Sequence, residues 1–316
     1  VVAADKAIYD SNTGGEYTQG AGAVAFLVSA SPELISFSGE VGVAVSHDFD
    51  FYKPKRYFEK SAIIQSLMSR LDMDISVLPE QKLAALIDTD TVLKAGTLEG
   101  WAADFWDLPG AFIPVQREEP VYDGQFSNAC FEQRVSQALG DFLRKNNVDV
   151  LPETAHWIFH LPYAYQGRRM AVRMWWEQVV LQNASMRSAL LTQLGDCDTT
   201  DEAAYGAWLK QLAKTDAYRN FVKESIAPTD AVSSKVGNLY TASIFMALLS
   251  AFAFSKGDLS GKQALFFAYG SGSKSKVFSG NYAKLLPREE IARRIHQHLE
   301  RRVAIDYAEY ERLRRK

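Results

Sequence analysis

The run Tyr240 to Phe254, YTASIFMALLSAFAF, limits how this chain can fold more than any other segment. A bilayer crossing needs about 20 apolar residues, and this run is shorter and contains Thr and Ser, so it reads as a helix buried in protein. The expected helix extends over Val236 to Phe254, entered through Gly237 and Asn238. Apolar strands are expected at Ala155 to Phe159 and at Gln263 to Tyr269. Phe131, Val135, Ala138, Leu139, Phe142 and Leu143 recur at helical spacing up to Asn146 and Asn147. Further helices are expected over Gly167 to Gln182 and Ala203 to Leu212. Buried strands alternating with apolar helices argue for a layered α/β domain in which helices cover a sheet.

With 316 residues, 47% of them hydrophobic, the chain can bury a large core in one big domain or two fused ones. A net charge of −3 provides no global attraction to nucleic acid or an anionic membrane, so any anion binding must be local. Two cysteines, Cys130 and Cys197, are too few for a disulfide framework and fit a reducing, cytoplasmic setting. The opening residues VVAADKAIYD read as a buried strand, and GGEYTQGAGAVAFLVS as a glycine-rich turn leading into a strand buried on both faces. A chain rarely begins inside its own core, so the expectation is that an N-terminal portion is missing or is supplied by another polypeptide. From Tyr52 to Pro120 the texture changes to mixed helices and loops with clustered Trp101, Phe105 and Trp106, an elaboration outside the main sheet. The charges of the C-terminal helix, Arg288 to Arg302, read as a solvated face.

The segment with most chemical content is WIFHLPYAYQGRR, Trp157 to Arg169. Its strand stops at Leu161-Pro162, since proline ends ladder pairing, and that leaves the His160 imidazole at a sheet end, where α/β folds place their ligands. Two small-residue turns, GNLYTAS at Gly237 to Ser243 and YGSGS at Tyr269 to Ser273, also lie at element ends, and the three together can surround one pocket. Asn238 reads either as a helix N-cap or as an amide bonding a carbonyl oxygen beside His160. Ser271, between two glycines, reads either as turn chemistry or as a hydroxyl brought close to a ligand.

Other constellations are weaker. His156 and His160 are about 13 Å apart along an extended strand, too far to share an ion, and His296 and His298 diverge on a helix, so no metal site is expected. The string GAGAVA matches a dinucleotide fingerprint, but the residues after it are strand-like where that fold needs a helix. Neither cysteine reads as a nucleophile: Cys130 precedes an amphipathic helix, and carboxylates around Cys197 disfavour a thiolate.

The blocks VVAADKAIYD, GGEYTQGAGAVAFLVS, DFYKP at Asp50 to Pro54, PVYDG at Pro120 to Gly124, FHLPY, KVGNLYTAS and YGSGS, in this order, resemble bacterial 3-hydroxy-3-methylglutaryl-CoA synthase. The resemblance implies a thiolase-like αβαβα layered fold. Residues 1–50 would be the end of its N-terminal half, 51–120 a family-atypical insertion and 121–316 the C-terminal half. It also implies a cytosolic homodimer, acetyl-CoA and acetoacetyl-CoA as substrates, coenzyme A thioesters without a separate cofactor, and neither nucleic acid nor membrane as partner. In that family a cysteine takes acetyl from acetyl-CoA, a glutamate deprotonates the acetyl methyl, and the resulting carbon attacks the ketone of acetoacetyl-CoA before hydrolysis. Neither of those two residues maps onto this chain.

The family's acetoacetyl-holding histidine falls on His160, its asparagine on Asn238 and its glycine-flanked serine on Ser271. Acidic residues fall on Asp5 and Asp50, a site-lining tyrosine on Tyr9, and Thr18 and Gly270 complete the implied substrate contacts. Lysines that meet CoA phosphates in relatives are replaced by Tyr165, Arg168 and Arg169, and arginine can bind phosphate bidentately. Relatives join the DFYKP and PVYDG blocks closely, whereas here a long segment containing a second similar string, DFWDLP at Asp104 to Pro109, intervenes. Asp50 is the preferred copy because it keeps the basic residue before proline. Two other expectations stay open: a polyketide β-branching synthase that acts on carrier-bound acyl groups, and a noncatalytic subunit that binds acyl thioesters.

Overall fold

Asp123 starts the longest helix, Gly124–Lys145, by accepting hydrogen bonds from the backbone N–H groups of Gln125 and Phe126. In this computed structural model, which describes residues 1–87, 111–116, 119–148, 154–283 and 288–314, all six residues of the expected stripe are buried. The helix stops at Asn146, whose side chain turns back to donate to the Phe142 carbonyl. The described residues form two compact units, one comprising 1–51 with 122–316 and the other comprising 52–121.

The first unit is built on a four-stranded sheet in the order Ile35–Val45, Lys274–Tyr282, Gln263–Gly270, His156–Phe159. The first three strands pair antiparallel, and His156–Phe159 joins in parallel. Cross-strand partners share a face. On one face Phe159 stacks on Phe267 with ring centroids 4.4 Å apart, and Tyr269 packs on Phe131 of the long helix. The approach is close enough that a side chain at Gly42, in the edge strand, would collide with the backbone at Ala138 and Phe142. Glycine is required there by space alone.

On the opposite face lies the apolar helix, Ser243–Phe254, whose Phe252 packs edge-on against Tyr282. Helices on both faces of a sheet make the α/β layering that the apolar segments demand. This helix is shorter than the expected Val236 to Phe254. A short helix ends at Val236, Gly237 follows with φ +77°, and a 3₁₀ turn, Tyr240–Ala242, precedes the long helix. The positive φ of Gly237 breaks the helical path, so Asn238 sits in an irregular turn.

Gln166–Trp175 and Glu202–Leu212 are helical as expected, and the former continues through a π-helical turn, Trp176–Val180. Met170, Met174 and Trp175 are buried core residues. The charged helix Arg288–Glu300 buries none of its residues. No helix among the described residues is long and apolar enough to cross a membrane.

Within this chain the N-terminal strands are covered only in part. Val2–Ala7 and Gly20–Ala25 form a two-stranded antiparallel ladder, but Ala7 and Val24 are its only buried members. The cover that this chain provides comes from one side, where Leu239 and Ala242 pack against Val24.

In the second unit, Lys55–Glu59 pairs antiparallel with Phe112–Gln116, accompanied by helices Lys60–Arg70 and Glu80–Ile87. Ile64 and Ile113 are buried there. Trp101, Phe105, Trp106 and the DFWDLP string lie outside the described residues.

Candidate functional site

The strand ends and turns of the first unit enclose a cavity of about 400 Å³, a size suited to a small-molecule site. Tyr9, Asp50, His160, Asn238, Gly270 and Ser271 all line it, together with Phe51, Ser127, Tyr240 and Tyr269. Residues from six separate stretches of sequence thus converge on one space.

His160 arrives there because it follows the parallel strand directly. Its N–H donates to the Phe267 carbonyl at 2.8 Å, a last ladder bond before Pro162. The ring's Nδ1 is 2.7 Å from the Ser243 hydroxyl. Burial lowers the His160 pKa to about 4, because a charged imidazolium would lose its water here. At neutral pH the cavity therefore meets a neutral imidazole.

Asn238 is held by a second set of bonds. Gly237, just before it, lies against the Gln19 carbonyl so closely that no side chain fits. The Asn238 N–H donates to the Thr18 carbonyl at 2.9 Å, its side-chain amide donates to the Tyr9 hydroxyl at 3.0 Å, and its side-chain oxygen accepts from the Tyr240 N–H at 2.8 Å. Tyr240 itself has φ +43°, a strained value for a residue with a side chain. Asn238 is therefore not the N-cap of the long apolar helix, which begins five residues on; it fixes the local turn, and Tyr9 fixes its amide plane.

Asp50 organises the third wall. Its carboxylate is buried and accepts from the Tyr269 hydroxyl at 2.6 Å and from the Gly272 N–H at 2.9 Å. Gly272 and Ser273 both have positive φ, and the buried carboxylate clamps the hairpin turn that carries Gly270 and Ser271 to the cavity. Burial and the Asp50 charge raise the Tyr269 hydroxyl well above its ordinary pKa, which keeps it a proton donor.

Other expected site residues lie elsewhere. Asp5 is exposed, accepts from the Lys6 N–H and does not line the cavity, although burial and, behind it, the Asp5 charge help raise the hydroxyl pKa of Tyr240, which does. Thr18 contributes its carbonyl to Asn238, while its hydroxyl donates to the Gly15 carbonyl. Arg168 makes a bidentate ion pair with buried Asp230, at 2.6 and 2.7 Å, and lies over the Tyr165 ring. Burial raises the Asp230 pKa and Arg168 opposes that rise. Two of Arg168's donors are thus committed within the fold, a pairing with Asp230 that the sequence did not announce. Arg169 donates to the Tyr163 hydroxyl at 2.8 Å and is closer to solvent.

Replacing Arg168 with alanine strands the Asp230 carboxylate and should lower stability by about 3 kcal/mol. Arg169→Ala should alter it by less than about 0.5 kcal/mol. Urea unfolding of the two variants checks this, and equal midpoints would contradict it.

Cys130 is buried, and burial followed by the charges of Asp48 and Asp50 raises its thiol pKa. Burial likewise raises Cys197. Both remain thiols at neutral pH. Among the described residues no group of three or more His, Cys, Asp and Glu is placed to hold a metal.

Ser243 and Tyr269 were not singled out from the sequence. Ser243 is the last letter of GNLYTAS, five residues after Asn238, and Tyr269 the first of YGSGS, so both lie within motifs that the sequence marks.

Comparison with known proteins agrees with this architecture. The family model described as hydroxymethylglutaryl-coenzyme A synthase C terminal matches residues 90–313. A hydroxymethylglutaryl-CoA synthase of Haloferax volcanii is 26% identical over 98% of this chain and 58% of its own length. One from Enterococcus faecalis is 24% identical over 89% and 48%. Among solved structures, MvaS in complex with 3-hydroxy-3-methylglutaryl coenzyme A superposes with a TM-score of 0.62 and 26% identity, covering 100% of this chain and 59% of that one. The curacin biosynthetic pathway HMG synthase in complex with acetyl donor-ACP has a TM-score of 0.60 at 18% identity, covering 99% of this chain and 54% of that one, and shares the fold. The fold is thus of the thiolase-like class. The chain belongs to the hydroxymethylglutaryl-CoA synthase family. It spans about half the length of the curated relatives it matches.

Proposed function

We propose that this chain supplies the acetoacetyl-thioester-binding part of a hydroxymethylglutaryl-CoA synthase, which joins acetyl-CoA, acetoacetyl-CoA and water to give HMG-CoA and free CoA. The observation that carries this reading is the convergence of His160, Asn238 and Ser271 on one cavity. In the reaction, the methyl of an enzyme-bound acetyl thioester loses a proton, and its carbon forms a bond to the ketone carbon of acetoacetyl-CoA. The ketone's π electrons move to oxygen, which then takes up a proton. Water finally cleaves the bond between enzyme and acyl group.

The cavity residues have separate tasks in this scheme. A neutral His160 donates a hydrogen bond from Nε2 to the ketone oxygen and strengthens it as that oxygen becomes anionic. Asn238, its amide plane set by Tyr9, donates to the thioester carbonyl. Ser271 and the Gly270 backbone, on the turn clamped by Asp50, bear on the acyl chain. The thiol that carries acetyl and the base that deprotonates it are assigned to no residue of this chain; raised thiol pKa values disfavour Cys130 and Cys197 for the first task. Arg169 is the candidate contact for CoA phosphate. Homodimer formation and a cytosolic setting belong to the same reading.

Full-length protein given acetyl-CoA and acetoacetyl-CoA should release free thiol and form HMG-CoA. No thiol release with His160 intact would overturn the assignment. Comparing free CoA with a carrier protein as the acyl bearer decides between the mevalonate-type and polyketide-type versions.

A further inference from the structure

We propose that Ser243 is a positioning residue that holds His160 in the tautomer protonated on Nε2, so that the ring presents a hydrogen-bond donor to the cavity. Ser243 is 1% exposed and opens the apolar helix Ser243–Phe254. Its hydroxyl has one proton and two lone pairs. The Leu161 N–H occupies one lone pair at 3.2 Å, and the His160 Nδ1 lies at 2.7 Å.

Two arrangements fit these distances. Either the hydroxyl donates to an unprotonated Nδ1, or a protonated Nδ1 donates to the second lone pair. The second arrangement leaves the hydroxyl proton without an acceptor, because Ser243 has no other hydrogen-bond partner among the described residues. Burying an unpaired polar hydrogen is costly enough to favour the first arrangement by roughly tenfold or more. The same argument disfavours an imidazolium, as does the low pKa that burial imposes on the ring.

With Nδ1 accepting from Ser243, the proton of a neutral ring must be on Nε2, the nitrogen left to serve the cavity. The opposite tautomer would set a lone pair against a substrate carbonyl oxygen. Ser243 thus decides whether the ring attracts or repels a ketone. The consequence for catalysis rests on the condensation reading above, whereas the tautomer itself does not.

The test is ring-nitrogen NMR of the full-length protein labelled with ¹⁵N-histidine, with the His156 signals as an internal report of the fold. Wild type should show a protonated Nε2 and an unprotonated, hydrogen-bonded Nδ1 at His160. Ser243→Ala should convert this to a mixture of tautomers, and Ser243→Thr, which keeps the hydroxyl, should restore it. A wild-type proton on Nδ1 overturns the proposal even if no variant folds, and so does an unchanged tautomer in Ser243→Ala. In turnover, Ser243→Ala should slow condensation about tenfold, with self-acetylation unchanged and activity rescued by threonine. If the tautomer responds as stated but wild type fails to use acetoacetyl-CoA, the condensation reading falls and the Ser243 assignment stands.

Discussion

His160→Ala in the full-length protein should slow condensation with acetoacetyl-CoA by roughly 10²- to 10³-fold, the usual loss when one preorganised donor to a developing oxyanion is removed. Self-acetylation from acetyl-CoA should continue at its wild-type rate. The separation follows from the geometry: the imidazole faces the cavity with Asn238 and Ser271, and its other nitrogen is occupied by Ser243. Alanine removes the donor while the cavity walls keep their own supports, namely Tyr9 on Asn238 and Asp50 on the Gly272 N–H. Single-turnover measurement of thiol release, alongside HMG-CoA formation, reads the two steps independently. Equal loss of both would show that His160 does not act on the acceptor.

A second large effect is expected in acid. His156 is buried, with Nδ1 2.8 Å from the Tyr282 hydroxyl and Nε2 2.7 Å from the Ser255 hydroxyl. Burial, helped by the positive charges of Arg288 and Lys262, lowers its pKa to about 4, and burial lowers His160 to about 4 as well. In the unfolded chain both rings titrate near 6.5, so there they bind protons that the folded protein refuses. Stability is therefore fully present above about pH 6.5 and declines as the pH falls toward 4. At about 1.4 kcal/mol per pKa unit, each histidine contributes roughly 3 kcal/mol to this decline. A further fall below pH 4 is expected from Asp141, whose pKa is lowered to about 2 by Lys145 and the Val43 N–H. Urea midpoints measured from pH 7.5 to 4.5 should drop steeply below 6.5, with a smaller drop in His160→Gln. A flat profile across that range would mean that the rings are not held neutral.

Much of the fold is legible in local pattern. The apolar spacing from Phe131 to Leu143 specifies a helical stripe, and the apolar strings ending at Phe159 and Tyr269 specify strands, because each of these elements is buried by neighbours that its own period demands. The N-terminal ladder shows the limit of that reasoning. Composition indicates an affinity for burial at Val2–Ala7 and Gly20–Ala25, but whether a face is covered depends on what packs there, and local sequence is silent on it.

The site divides in the same way. Proline after Leu161 and glycines around Ser271 mark places where the backbone must leave regular structure, so His160 and Ser271 stood out. The partners that give these residues meaning are distant in sequence: Tyr9 binds Asn238 across 229 residues, and Asp50 binds the Gly272 N–H across 222. The Arg168 ion pair was not legible because its partner Asp230, 62 residues away, carries no local mark of burial. Charge type was readable, whereas its compensation required coordinates.

The measurement closest to the central claim is a calorimetric comparison of acetoacetyl-CoA and free CoA binding to full-length wild type, His160→Ala and Asn238→Ala. If the cavity holds the acetoacetyl group, wild type binds the thioester more tightly than CoA. Both variants then lose that difference while keeping their affinity for CoA itself. If the preference for the thioester is the same in all three proteins, the acyl group lies elsewhere and the account is wrong.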